Sequence, residues 1–167
     1  GQGSESQVRL SGMESMVEKM KVMVMGGHTE AFHDFAVMGP IYEKFLKQAE
    51  FDVVITEDRD DFKEENLAPF DVIVCYTTGE NLTEEQTQGL LRGIAGGKGF
   101  VGVHSAADSF KDTPGYINMI GAEFLTHPSY WPKLMFNVKN RLHPVVDGVQ
   151  DFEMEEELYL METNGHF

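Results

Sequence analysis

The stretch Gly99–Phe110, GFVGVHSAADSF, decides the fold. Its apolar run Phe100–Val103 is typical of a buried β-strand, and the run stops abruptly at His104-Ser105. Small residues and Asp108 follow, which is the pattern of a turn into a helix. An imidazole and a hydroxyl are therefore predicted at the carboxyl end of a strand, the edge at which open α/β sheets bind their ligands.

The apolar runs upstream predict the rest of the sheet. Three of them have the length and composition of buried strands: Lys21–Met25, Phe51–Ile55 and Phe70–Tyr76. Helical spacing in Pro40–Gln48 predicts a helix with Pro40 in its first turn. Thr83, with Gln86 three residues later, has the pattern of a capping box that opens a second helix. This order predicts an α/β, flavodoxin-like fold, a mostly parallel sheet flanked by helices on both faces.

The pattern is weaker after residue 110. Tyr116–Ile120 predicts a short helix, Leu134–Lys139 a more exposed strand, and Leu158–Met161 a further strand. The chain has 167 residues, enough for one domain. We therefore expect one α/β domain over residues 21–167, preceded by a tail or expression remnant over residues 1–20.

Charge and composition narrow the range of functions. The chain carries 13 basic and 28 acidic residues, a formal net charge of −15, which argues against nucleic acid and anionic membranes as partners. No stretch is long enough to span a membrane, and the polar segment Gly1–Ser11 lacks the apolar core of a secretory signal, so a cytoplasmic location is favoured. The single cysteine, Cys75, lies in an apolar run and is predicted to be a buried structural thiol.

Polar side chains follow several of the predicted strands. Because parallel strands end at the same edge of a sheet, we expect these side chains to line one crevice together with His104 and Ser105. The substrate-binding candidates at this edge are His28, Thr77, Thr78 and Asp108. The loop after the first strand, Gly26–His33, lacks the lysine of a P-loop, so no flavin or nucleotide is expected.

Two kinds of chemistry remain open for the predicted edge. The surroundings of Ser105 depart from the G-x-S-x-G nucleophile elbow, so this residue is a nucleophile, a helix N-cap or a substrate hydrogen-bonder. The histidines form no compact metal motif, so a metal site would join distant segments, for instance His28, His104 and His127 with a carboxylate. Such a set would favour zinc or another divalent transition metal. The alternative is that they are hydrogen-bonded structural histidines, as we expect for His143.

The order of several motifs resembles the ThuA-like (trehalose utilisation) family. The motifs are GVHSAADSF at 102–110, IGAEF at 120–124 followed by His127, HPVVDG at 143–148, and Glu157-Leu158-Tyr159. The resemblance covers Lys21–Met161 and implies a class I glutamine amidotransferase-like fold, in agreement with the predicted sheet. That superfamily uses a cysteine at the strand-to-helix elbow, where this chain has His104-Ser105, so glutamine hydrolysis is not expected.

The resemblance implies a role in carbohydrate metabolism, on small glucosides processed through keto-sugar intermediates. By this resemblance the recurrent polar positions fall on His104, Ser105, His127 and Glu157. We expect His104, Ser105 and Glu157 to be catalytic, with His104 as general acid/base or metal ligand and His127 as a second ligand. Family domains usually run past 200 residues, so a domain truncated at its C-terminus is expected.

A second hypothesis from another class is a non-catalytic sugar-binding or interaction module on a degenerate amidotransferase-like fold. Trp131 and Tyr130 would then form a sugar-stacking platform, and the alternative is an ordinary aromatic loop packed on the core. A flavodoxin-like electron carrier is a third hypothesis, and its purified protein would be yellow. Under the first two hypotheses the expected partner is a small carbohydrate, and a homo-oligomer stays open.

Overall fold

A computed structural model describes residues 18–27 and 32–164. The α-helices in these residues are α1 (Phe35–Gln48), α2 (Glu64–Leu67), α3 (Glu84–Ala95) and α4 (Pro114–Ile120). The strands are β1 (Lys21–Met25), β2 (Asp52–Thr56), β3 (Val72–Cys75), β4 (Gly99–Gly102), β5 (Ala122–Thr126), β6 (Lys133–Phe136), β7 (Phe152–Glu155) and β8 (Leu160–Thr163). Short 3-10 turns lie at Arg59–Phe62, His104–Asp108 and Pro144–Val146.

The central sheet has the strand order β2-β1-β3-β4, and each neighbouring pair is parallel. Successive residues of a strand point to opposite faces, and β1 divides its side chains accordingly. Met23 and Met25 belong to the core under α2, α3 and α4, whereas Val22 and Val24 belong to the core under α1. The predicted fold class, a parallel sheet with helices on both faces, is confirmed.

Both faces of the sheet are closed by large apolar side chains. Phe62, Leu90 and Tyr116 are fully buried on one face, and Phe35 and Tyr42 pack on the other. Each such side chain contributes on the order of 1.5–3 kcal/mol when it leaves water. The central strands β1 and β3 are therefore fixed by burial on both sides, whereas the edge strands β2 and β4 each keep exposed residues.

Two local predictions are wrong. Helix α1 begins at Phe35, because the Asp34 carboxylate accepts the Ala36 N–H at 2.9 Å and caps the helix there. Pro40 consequently lies inside α1 and not in its first turn. The residues after β4 form a 3-10 turn, His104–Asp108, in place of a helix that continues from the strand. The predicted capping box at Thr83 is confirmed, with both reciprocal bonds present.

The C-terminal part of the described chain has a different architecture. Strands β5 and β8 form one antiparallel pair and β6 and β7 another, separate from the parallel sheet. The strand predicted at 134–139 corresponds to β6, and the one predicted at 158–161 lies two residues later in the structure, as β8. No strand was predicted at the position of β7. None of the described helices is long and apolar enough to cross a membrane.

Candidate functional site

The site lies at the carboxyl edge of the parallel sheet, where two histidines have strained backbones. His104 follows β4 with φ 47°, and His33 precedes α1 with φ 60°. Residues other than glycine avoid this left-handed region, and holding one there costs on the order of 1–3 kcal/mol. The surrounding fold holds both residues in this conformation, and their two imidazoles meet. Such outliers cluster at functional sites.

Three polar atoms converge on Nε2 of His104. The phenol oxygen of Tyr159 lies 3.0 Å away, Nε2 of His33 3.1 Å, and a carboxylate oxygen of Glu157 3.3 Å. One ligand atom from each of His33, His104 and Glu157 lies within 4.8 Å of the other two. A ring nitrogen carries either one proton or one lone pair. His104 therefore cannot satisfy all three neighbours by ordinary hydrogen bonds.

The second oxygen of Glu157 faces a further histidine. Its Oε1 lies 3.3 Å from Nε2 of His127. Nδ1 of His127 lies 2.7 Å from the Pro128 carbonyl, which only accepts hydrogen bonds, so Nδ1 carries a proton. In a neutral His127 the lone pair on Nε2 then points at a carboxylate. A proton on His127 relieves that contact, so the two residues are suited to holding and releasing a proton.

The orientation of His33 is set by the end of β3. Nδ1 of His33 lies 2.8 Å from the hydroxyl oxygen of Thr78, a nearly buried residue. The His33 ring also meets the edge of Tyr76, with ring centroids 5.9 Å apart. These contacts direct Nε2 of His33 toward His104. Thr78, predicted as a substrate-binding residue, therefore contacts the site through His33.

A row of rings supports the cluster from the C-terminal part of the chain. Tyr159 lies over His104 with ring centroids 4.5 Å apart and over Phe124 at 4.3 Å. Phe124 in turn stacks on His127 at 6.0 Å. Burial, and then the nearby Glu157 carboxylate, raise the pKa of Tyr159 well above its ordinary value. The phenol is therefore a hydrogen-bond donor at neutral pH.

The other residues predicted from strand ends lie near the site but serve other contacts. Ser105 is fully buried, and its hydroxyl has no hydrogen-bond partner among the described residues. It does not cap the turn, which has no side-chain cap. The Thr77 hydroxyl donates to Ser109, whose own hydroxyl donates to the Ser105 carbonyl. Asp108 pairs with Lys111 at 2.7 Å.

The remaining predictions fall into three groups. His28 lies outside the described residues. Trp131 and Tyr130 are 68% and 65% exposed, so the alternative of an aromatic loop packed on the core is wrong. The structural roles of Cys75 and His143 are confirmed: Cys75 is buried, which raises the pKa of its thiol, and Nδ1 of His143 accepts the Val145 N–H.

Sequence reasoning missed His33 and Tyr159. His33 stands directly before the Asp34 cap of α1, in the same strand-to-helix loop that suggested His28. The convergence of strand ends therefore applies to His33 as well as to His28, but the spacing of residues does not tell which of the two reaches the site. Tyr159 stands in the Glu157-Leu158-Tyr159 motif of the family resemblance, but no role was assigned to it.

A cavity of about 480 Å³ opens beside His104. Phe100, Met119 and Met161 lie in its wall together with His104. A larger concavity, about 1710 Å³, lies at the opposite edge of the sheet, where Lys21, Asp71 and Gly99 begin the strands. Among the described residues of the cluster, His104 alone lines the smaller cavity and none lines the larger one, so we place the candidate site beside the smaller cavity.

Comparison with known proteins gives one family. The family profile described as trehalose utilisation (ThuA) matches residues 21–166. A crystal structure of a protein described as ThuA-like, from Bacteroides uniformis ATCC 8492, is 27% identical with a TM-score of 0.69, and the match covers 85% of this chain and 61% of that one. A second, from Parabacteroides merdae ATCC 43184, is 19% identical with a TM-score of 0.73, and covers 89% and 65%.

The similarity has two limits. The chain spans less than two thirds of the length of either solved structure. Among curated proteins no match was found.

Proposed function

The chain belongs to the ThuA (trehalose utilisation) family, and from that premise we propose that it acts on a small keto-glycoside at the carboxyl edge of the parallel sheet. A keto-glycoside here means a glucoside with one ring hydroxyl oxidised to a carbonyl. The family model supports a role related to trehalose utilisation, and the keto-glycoside is our extension of it. The reaction class we propose is proton transfer at the carbon next to that carbonyl.

One observation carries the proposal. Imidazole, carboxylate and phenol groups from distant segments meet at Nε2 of His104, within 3.0–3.3 Å. Histidine is suited to proton transfer because its ordinary pKa lies near neutral pH.

The proposed reaction is a proton transfer that passes through an enediolate. A base takes the proton from the carbon next to the carbonyl, and the electron pair of that C–H bond moves to give an enediolate. The protonated base returns the proton to the same carbon, which restores the original ketone. It can also return the proton to the former carbonyl carbon, in which case the hydroxyl proton of the enediolate moves to the other oxygen and the carbonyl changes place. Nε2 of His127, which lies 3.3 Å from Glu157, is our candidate for the group that moves this proton, and the O–H of Tyr159 is our candidate for the donor to the oxygen. His104 would be essential either as a proton-transfer group or as a metal ligand.

The test is exchange and turnover of a keto-glycoside in D2O, followed by proton NMR. Wild type should replace the hydrogen next to the carbonyl with deuterium. His104→Ala should slow this by about 100-fold or more, the usual scale of a lost acid/base group. His143→Ala, which changes a histidine outside the cluster, is the matched control, and circular dichroism checks the fold of each variant. Wild-type rates in a folded His104→Ala protein would refute the proposal.

A second candidate function is sugar binding without chemistry. The exposure of Trp131 and Tyr130 favours it, because an indole and a phenol open to solvent can stack on the face of a sugar ring. This candidate predicts binding of the keto-glycoside with no deuterium exchange. It also predicts that Trp131→Ala weakens binding, whereas His104→Ala does not.

A further inference from the structure

We propose that His33, His104 and Glu157 bind one divalent transition metal ion, with zinc as the reference ion. The site joins a loop before α1, the turn after β4 and the segment before β8. Its donors are two imidazoles and a carboxylate, a set found in zinc sites that keep one coordination position open. The inference goes beyond the proposed function, because metal binding is measured with no sugar present.

The separations of the donor atoms carry the first part of the argument. Ligands of a tetrahedral ion with bonds of about 2.0–2.1 Å lie about 3.3 Å apart. Nε2 of His104 lies 3.1 Å from Nε2 of His33 and 3.3 Å from Oε2 of Glu157. The two separations from His104 are therefore those that a small cation requires, and all three donor atoms lie within 4.8 Å of one another.

The position of the proton on the His33 imidazole also favours a metal ion. Nδ1 of His33 contacts the Thr78 hydroxyl, so a proton on Nδ1 donates there and leaves the Nε2 lone pair facing His104. Hydrogen bonding of the outer ring nitrogen in this way is the usual support of a metal-bound histidine. Nε2 of His33, Nε2 of His104 and the Glu157 carboxylate can each offer a lone pair to one cation. A cation satisfies all three lone pairs at once.

His127 and Tyr159 lie next to the three proposed ligands. His127 contacts the other oxygen of Glu157 at 3.3 Å and is not one of the three clustered donors, so it is a positioning residue. The phenol oxygen of Tyr159 lies 3.0 Å from Nε2 of His104, so it stands next to the proposed ion. The left-handed backbones of His33 and His104 hold the two imidazoles before a cation arrives.

The experiment uses the full chain, purified without a metal-affinity step, treated with chelator and titrated with Zn²⁺ alone by calorimetry. We expect one ion per chain. His33→Ala, His104→Ala and Glu157→Gln should each weaken binding by about 100-fold or more, and His127→Gln by about 10-fold, as for an outer-shell partner. His143→Ala is the matched histidine control and should bind as wild type. Circular dichroism and thermal melting identify any variant that fails to fold.

A spectroscopic readout separates this site from adventitious binding. Co²⁺ substituted into wild type should give visible absorption bands of a four- or five-coordinate ion, and these bands should be lost in His33→Ala but kept in His143→Ala. Failure of wild type to bind Zn²⁺, or equal binding by wild type and folded His33→Ala, overturns the proposal. Bound zinc without keto-glycoside exchange would refute the proposed function only, and exchange by metal-free protein would refute a metal role in that reaction.

Discussion

The region of the parallel sheet and the C-terminal region of the described chain differ in how well their strands are buried. In residues 21–120, β1 is buried from its second residue onward and β3 is covered on both faces. In residues 122–164, every residue of β7 and β8 is exposed, and the strands form separate antiparallel pairs. The site takes His33, His104 and Thr78 from the first region, and His127, Glu157 and Tyr159 from the second.

The difference teaches that a precise edge and a weakly packed segment can share one site. The central strands β1 and β3 are held by burial on both faces, and β4 is paired with β3 along its length. Regions with few buried contacts open with lower free energies than the core. The contacts of Glu157 and Tyr159 with His104 therefore connect the two regions.

The largest expected contrast is in cysteine accessibility. Cys75 in β3 is fully buried and the pKa of its thiol is raised, so at any pH it carries less thiolate than an exposed cysteine. In a Leu160→Cys variant the new thiol on β8 should react with iodoacetamide at least about 1,000-fold faster than Cys75, because core opening costs several kcal/mol. Peptide mass spectrometry measures both rates in one sample. Similar rates would mean that the sheet opens as easily as β8.

A pair of leucine truncations gives the next largest contrast. Leu90 in α3 is fully buried, whereas Leu160 in β8 is 46% exposed. Leu90→Ala should lower the free energy of unfolding by about 2–5 kcal/mol, the cost of a cavity in a packed core. Leu160→Ala should cost about 1 kcal/mol or less, since little buried surface is lost. Urea denaturation measures both variants, and equal losses would contradict the difference in packing.

The smallest contrast concerns two ion pairs. Arg59 and Glu80 are 2.7 Å apart with the arginine largely buried, whereas Lys133 and Glu153 pair on the surface of β6 and β7. Glu80→Gln should lower the free energy of unfolding by about 1–2 kcal/mol, because it leaves a buried guanidinium with a weaker partner. Glu153→Gln should cost about 0.5 kcal/mol or less and respond to salt. A larger loss from Glu153→Gln in urea denaturation would reverse this order.

Much of the first region could be read from local patterns. Strands buried on both faces appear as continuous apolar runs, so Lys21–Met25 was predicted with its observed bounds. The capping box at Thr83 is a local motif within four residues and was equally readable. In the second region the strands are exposed and show no such run. For that reason β7 was not predicted, and the predicted bounds of β8 were two residues too early.

The sequence by itself determined the parallel sheet and the edge at which His104 stands, because burial and capping act over a few neighbouring residues. Only the tertiary structure decided which groups meet there. The contact of His104 with His33 spans 71 residues and that with Tyr159 spans 55. Periodicity is a local property, so it carries no information on which of several polar residues arrive at one nitrogen. That choice is made by packing of the whole chain, through Thr78 beneath His33 and Phe124 beneath Tyr159.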